Sequence, residues 1–199
     1  MSAGTEIRNA AVYCGSSSKC DPRYLTEAAL VGEMLADNAI HLVYGGGSSG
    51  LMGSVADAVL KAGGGVTGVI PGFMVDVEWA HEGLTDLRIV DSMHERKKLM
   101  LGLSDAVIAL PGGCGTLEEL LEAITWKRLG LFTGPIVIVN QNGFYDACIE
   151  MLQICIRERF MNDHHGAIWR IADSAADVLG ELESSGPWPR DAIKTAPVK

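Results

Sequence analysis

Short apolar runs rich in Val and Ile alternate with longer stretches of helical period along the whole chain. Strands buried on both faces lack polar alternation, and strands that alternate with helices are those of a parallel sheet with crossover helices. Strands are predicted at residues 10–14, 40–44, 66–70, 87–90, 106–110 and 136–139, and a short one opens the segment 168–183. Asp21 followed by Pro22 marks the start of a helix that runs to about Asn38. Further helices are expected over 51–61, from Ser92 to about Ser104, from a glycine turn at 111–116 to Leu129, from Tyr145 to about Phe160, and late in 168–183. Residues 71–85 show no clear period, and a loop that long in a compact domain is often functional. The fold class is therefore α/β, a single-domain, Rossmann-like doubly wound parallel sheet with helices on both faces. Ligands then belong in the crevice at the carboxyl ends of the strands. The domain is expected to fill residues 1–185, with 186–199 a loose tail that has little to bury.

Composition narrows the partners. The chain has 199 residues, 48% apolar and 21% charged, ordinary values for a globular protein of one domain. A net charge of −9 argues against general binding to nucleic acid or a membrane surface, because affinity for polyanions comes mainly from Lys and Arg. The five cysteines form no Cys-x-x-Cys pair and are odd in number, which suits a reducing compartment. With neither a signal-peptide core near Met1 nor an apolar run of about 18 residues, a cytoplasmic location is expected. Cys148 and Cys155, seven apart in a helical pattern, read as core rather than ligands. Glycine is the anomaly: 24 of 199 residues, against a usual share of about 7%. Ten lie between Gly45 and Gly72, and three more at Gly112, Gly113 and Gly115.

Both clusters fall between a strand and a helix. In Pro111-Gly112-Gly113-Cys114-Gly115-Thr116 the unpaired N–H groups of a helix start and the positive end of its dipole would accept a phosphate without Lys or Arg. The plainer alternative is a tight turn with Thr116 as N-cap. Gly45-Gly46-Gly47-Ser48-Ser49-Gly50 matches G-x-G-x-x-G, but the acidic residue expected about 20 positions on is replaced by Ile70-Pro71. A mononucleotide or sugar phosphate suits the chain better than a dinucleotide.

Two charged residues stand out beside these glycines. Thr116 and Glu119 have capping-box spacing, yet a carboxylate beside an anion site is repelled by it, so Glu118 or Glu119 could instead face the reacting part of a substrate. Ser92 and Glu95 have the same spacing. In the helix they open, Met93, Arg96, Leu99, Met100 and Leu103 share a face, and a cation in an apolar stripe calls for an anion, an interface or a salt bridge. Lys97 flanks the stripe and Lys98 reads as solvated. His164-His165 reads as surface loop, since no set with metal-ligand spacing accompanies it, and no metal is expected.

Three stretches together carry a resemblance: Val43 to Gly53 (VYGGGSSGLMG), Asp91 to Lys97 (DSMHERK) and Pro111-Gly112-Gly113-Cys114-Gly115-Thr116-Leu117-Glu118-Glu119. They closely resemble the Lonely Guy family, the cytokinin riboside 5′-monophosphate phosphoribohydrolases, over about residues 8–183. The resemblance implies hydrolysis of the N-glycosidic bond of an adenosine 5′-monophosphate-type nucleotide to free base and ribose 5-phosphate. It implies Arg96 and Glu119 as the catalytic pair, Gly113 to Thr116 as the phosphate holder, and nucleotide contacts from Glu78, Lys97 and Thr125. Gly112, Leu117, Glu118 and the run Gly45, Gly46, Gly47 complete the candidate binding set. Such enzymes are typically homodimers with sites near the subunit interface, and the implied reaction needs no cofactor. Cys114 departs from the family, where an aromatic is common. Similar chains have been named lysine decarboxylases, but no lysine environment suited to pyridoxal is identifiable in the sequence. Cleaving a ribosyl bond passes through an oxocarbenium-like cation, which a carboxylate near the anomeric carbon would stabilise while orienting or deprotonating water. The competing class is a non-enzymatic nucleotide- or molybdenum-cofactor-binding carrier of similar fold.

Overall fold

A computed structural model describes residues 6–75 and 80–197. The strands are β1 (Asn9–Tyr13), β2 (His41–Tyr44), β3 (Val66–Pro71), β4 (Asp86–Val90), β5 (Ala106–Ala109), β6 (Ile136–Val139) and β7 (Arg170–Ala172). The helices are α1 (Pro22–Asp37), α2 (Gly50–Lys61), α3 (Met93–Gly102), α4 (Cys114–Arg128), α5 (Asp146–Arg157) and α6 (Ala175–Ser184). All strands pair in parallel in one sheet of order β4-β3-β2-β1-β5-β6-β7. Asp21 caps α1, accepting from the Arg23 N–H at 3.0 Å, with Pro22 in the first turn, where a missing N–H costs nothing.

The unbroken apolar runs follow from burial on both faces. Along β1, Ala10 and Val12 join one core with α1, α2 and α6, while Ala11 and Tyr13 join a second with α3, α4 and α5. Because side chains alternate across a strand, both sets must be apolar. β1 pairs with β2 on one side and β5 on the other, so the chain changes direction across the sheet at the β1–β5 seam. Loops leaving the carboxyl ends of these two strands diverge around a crevice, the usual ligand position in such sheets. Gly15 N–H donates to the Pro111 carbonyl at 3.0 Å and ties the two loops together.

Two expectations need correction. Residues 186–197 are not loose: Trp188 packs against the second core, and Ala192 and Ala196 are buried. The segment is fastened by the Arg128 guanidinium, which donates to the Ala196 carbonyl at 2.8 Å, and by Asn162, whose amide donates to the Thr195 carbonyl at 2.7 Å. Its anchors are one Trp and two alanines, too little apolar content to register in the sequence. His165 is also no surface residue, being fully buried, with Nδ1 accepting from the Asn162 N–H at 2.9 Å.

Candidate active site

The start of α4 is built as an open cradle. Gly113 occupies the N-cap position in extended conformation, and no side chain caps the helix. Its first-turn N–H groups stand at the positive end of a helix of 15 residues, where Gly113, Cys114 and Gly115 are exposed. The two parts of the glycine trio do different work. A Cβ on Gly112 would stand 2.1 Å from Thr116 Oγ1 and 2.9 Å from Gly15 N, so only glycine lets these loops close. At Gly113 and Gly115 a Cβ would meet nothing within 4 Å, which leaves their backbone accessible to a ligand. Cys114 is exposed between them. The Tyr145 hydroxyl, buried, donates to the Leu110 carbonyl at 2.7 Å and holds the turn that leads into the cradle.

The helix begins at Cys114, ahead of Thr116, so the Thr116–Glu119 capping box does not form. Thr116 is instead buried in the first turn, over Gly112. Glu119 lies three residues further along, on the same face, and is 6% exposed.

Arg96 comes from α3. Ser92 caps this helix, accepting from the Glu95 N–H at 3.2 Å, while the Glu95 carboxylate reaches back to the Asp91 N–H at 2.9 Å. The buried face comprises Arg96, Lys97, Met100 and Leu101, rotated from the expected stripe, with Leu103 turned outward. Arg96 is 3% exposed. Its Nε donates to the Val69 carbonyl at 3.1 Å and its Nη2 to the Gly45 carbonyl at 3.0 Å, so the guanidinium bridges the ends of β2 and β3. Lys97 is buried rather than merely flanking, and its ammonium is paired with Glu118 and, at 2.6 Å, with Glu122. Burial alone would lower its pKa, but these two carboxylates hold it above the usual lysine range.

Arg96 and Glu119 converge electrostatically on the end of β1. Burial above all pushes the Cys14 thiol up; the Glu119 charge adds to that, and the Arg96 charge opposes it. Tyr13 is likewise pushed up, first by burial and then by Glu119. A buried carboxylate, a buried guanidinium and an uncapped helix start thus border one crevice. Such a set can hold an oxyanion at one end and stabilise a developing cation at the other.

Other expected residues fall elsewhere. Glu78 lies outside the described residues. Glu118 is turned towards Lys97, and Leu117 packs beside the second core. Thr125 is exposed, bonded through Oγ1 to its own helix at Leu121 O (2.8 Å), and lies about 14 Å along the axis from Thr116 at 1.5 Å per residue. Gly46 and Gly47 shape the loop after β2, where the Tyr44 hydroxyl donates to the Gly47 carbonyl at 3.2 Å. The two tyrosine anchors, Tyr44 and Tyr145, were not foreseeable, since a strand-end or helix-start tyrosine does not announce which carbonyl its hydroxyl meets. Among the described residues no three His, Cys, Asp or Glu side chains group as a metal site.

Comparison with known proteins identifies the family. Residues 52–182 match a family model described as "Possible lysine decarboxylase". The chain is 43% identical over 188 residues to the probable cytokinin riboside 5'-monophosphate phosphoribohydrolase LOGL5 of Oryza sativa subsp. japonica, spanning 94% of this chain and 76% of that one. It is 42% identical to the cytokinin riboside 5'-monophosphate phosphoribohydrolase LOG of the same plant, over 92% of this chain and 76% of the relative. The chain belongs to the cytokinin riboside 5′-monophosphate phosphoribohydrolase family. LOG7 of Arabidopsis thaliana, 40% identical over 92% of this chain and 84% of its own length, bears the same name. Among solved structures, the molybdenum cofactor binding protein of Rippkaea orientalis superposes with a TM-score of 0.70 at 20% identity, over 91% of this chain and 98% of that one. The carrier from Chlamydomonas reinhardtii gives 0.68 at 18%, over 88% and 95%. Both share the family's fold, and at that identity the likeness concerns the fold alone.

Proposed function

We propose that this protein hydrolyses the N-glycosidic bond of adenosine 5′-monophosphate-type nucleotides, cytokinin riboside 5′-monophosphates or AMP itself. One water is consumed, and free base and ribose 5-phosphate are released. The observation that carries the reading is the buried Glu119, one turn beyond an uncapped helix start and across the end of β1 from the buried Arg96. The 5′-phosphate sits on the N–H groups of Gly113 to Thr116, and its binding energy positions the ribose. Glu119 then faces the anomeric carbon, where it stabilises the oxocarbenium-like transition state and receives a proton from the attacking water. The hydroxyl remaining adds to the anomeric carbon, the glycosidic electron pair leaves with the base, and the base nitrogen takes up the proton that Glu119 received, which restores the carboxylate. Arg96, fixed by two carbonyls, orients that end of the crevice. Thr125, remote from this cradle, would meet nucleotide only at a site completed by a second copy, consistent with a homodimer. The free cysteines suit action in a reducing compartment such as the cytoplasm, and among the described residues no helix is long and apolar enough to cross a membrane.

Incubation with AMP and with its N6-isopentenyl form, followed by chromatography of free base, tests the reading. Release is expected from wild type and lost in Glu119→Gln and Arg96→Ala, both still folded by circular dichroism. Wild-type turnover in either variant removes that residue from the mechanism. Nucleotide binding without base release would favour a carrier.

A further inference from the structure

The far end of α4 carries a second concentration of nitrogen donors that the hydrolytic reading does not use. It lies where the last turn of α4 meets the 3-10 turn at Asp163–Ala167 and the segment around Trp188. Lys127 is 3% exposed, forms no ion pair or hydrogen bond among the described residues, and stands 5.6 Å over the Trp188 ring. The His164 ring stacks on Trp188 at 6.3 Å and neighbours His165 at 4.3 Å, so these side chains form one continuous seam.

Three buried nitrogens on that seam have no hydrogen-bond partner among the described residues: Arg128 Nε, His165 Nε2 and Trp188 Nε1. The first and last are obligatory donors. His165 is a donor too, because its Nδ1 accepts the Asn162 N–H and the ring proton therefore belongs on Nε2. Burying a donor without an acceptor is costly, and burying an ammonium without a counter-charge costs more. Native proteins leave few such groups, and here they gather on one seam. Burial draws the Lys127 ammonium down to about 8, and His165 to about 4, with His164 and Arg128 adding to the latter. Among the described residues no carboxylate draws either back up.

The geometry points to a binding site for a small oxyanion of phosphate type, held by Lys127, Arg128, His165 and Trp188 at the opposite end of α4 from the nucleotide cradle. Its several acceptor oxygens match the unanswered donors, and charge-assisted bonds to Lys and Arg are the stronger kind. Inorganic phosphate and the phosphate group of a sugar phosphate share that chemistry.

The test is a titration of the full chain, 15N-labelled, with inorganic phosphate at constant ionic strength, with ribose 5-phosphate and chloride as parallel arms. The readout is the Trp188 indole N–H resonance, assigned by its loss in Trp188→Phe. Saturable movement is expected with phosphate and not with chloride, and Lys127→Met should weaken it by about tenfold or more. The Gly115 amide, at the other end of the helix, should titrate as in wild type. A stronger response to ribose 5-phosphate would assign the sugar phosphate as ligand, and an equal one the phosphate alone. An indole resonance that stays fixed, follows chloride equally, or titrates unchanged in Lys127→Met overturns the proposal. Should Lys127→Met fail to fold, the wild-type titration against chloride decides.

Discussion

The Arg96 guanidinium reaches the Gly45 carbonyl at 3.0 Å because residue 45 has no side chain: a Cβ there would stand 2.2 Å from Nη2. The glycine run after β2, which looks like a dinucleotide fingerprint, thus begins by seating a buried cation. Gly45→Ala should displace Arg96 and lower base release by about a hundredfold, the scale expected for a roughly 1 Å misplacement of a catalytic group. Turnover measured alongside the thermal midpoint would separate this from unfolding, and near-normal turnover would show that the Gly45 contact does not position Arg96.

The glycine trio at the start of α4 predicts two different phenotypes. Gly112→Ala drives a methyl into Thr116 and the Gly15 backbone and should destabilise the fold by about 1–3 kcal/mol in urea titrations. Gly113→Ala meets open space, so stability should change little while KM for nucleotide rises. Equal stability losses in both would remove the distinction.

Tyr145→Phe deletes the hydroxyl that donates to the Leu110 carbonyl at 2.7 Å. The carbonyl is left buried and unanswered, at a cost of about 1–2 kcal/mol. Denaturant midpoints should fall accordingly with the m-value unchanged.

Burial and the neighbouring His164 and Arg128 charges bring His165 from 6.5 down to about 4 in the folded state. Between those values the unfolded chain binds the extra proton, so stability rises with pH across that window and is lost as pH falls from 6.5 towards 4. The loss should amount to roughly 1–3 kcal/mol. Lys127, lowered from 10.5 to about 8 by burial, contributes the same sign between 8 and 10.5. The buried Cys14 thiol and Tyr13 hydroxyl, both pushed up, contribute the opposite sign there, so the Lys127 contribution is read as the difference between wild type and Lys127→Met. Urea midpoints in phosphate-free buffer would show the acid slope reduced in His165→Asn and the alkaline slope shifted downward in Lys127→Met.

The strands, the helix starts at Asp21 and Ser92, and the glycine turns were legible because local periodicity and capping residues specify them. Arg96 was legible as a cation on an apolar stripe. Lys97 was not, because its burial depends on Glu118 and Glu122 arriving from another helix. The Thr116–Glu119 spacing was misleading: glycines ahead of it let the helix start earlier, and both residues are then buried inside the first turns. The packing of Trp188 and the burial of His165 depend on contacts between distant segments, which no local pattern encodes.

The crevice also has a place in time. β1 can pair with β2, and β2 with β3, between neighbours in sequence, but Ala10 must wait for Ala106 before the central seam closes. At the foot of that seam the Asp105 carboxylate accepts the N–H groups of Arg8 and Asn9, each at 3.0 Å; at its head lies the start of α4. Closing a chain loop of that length is entropically costly and slows folding. A half-made chain therefore lacks this junction, and a ligand that binds at the head of the seam in the folded chain alone would stabilise the whole molecule rather than one lobe of it.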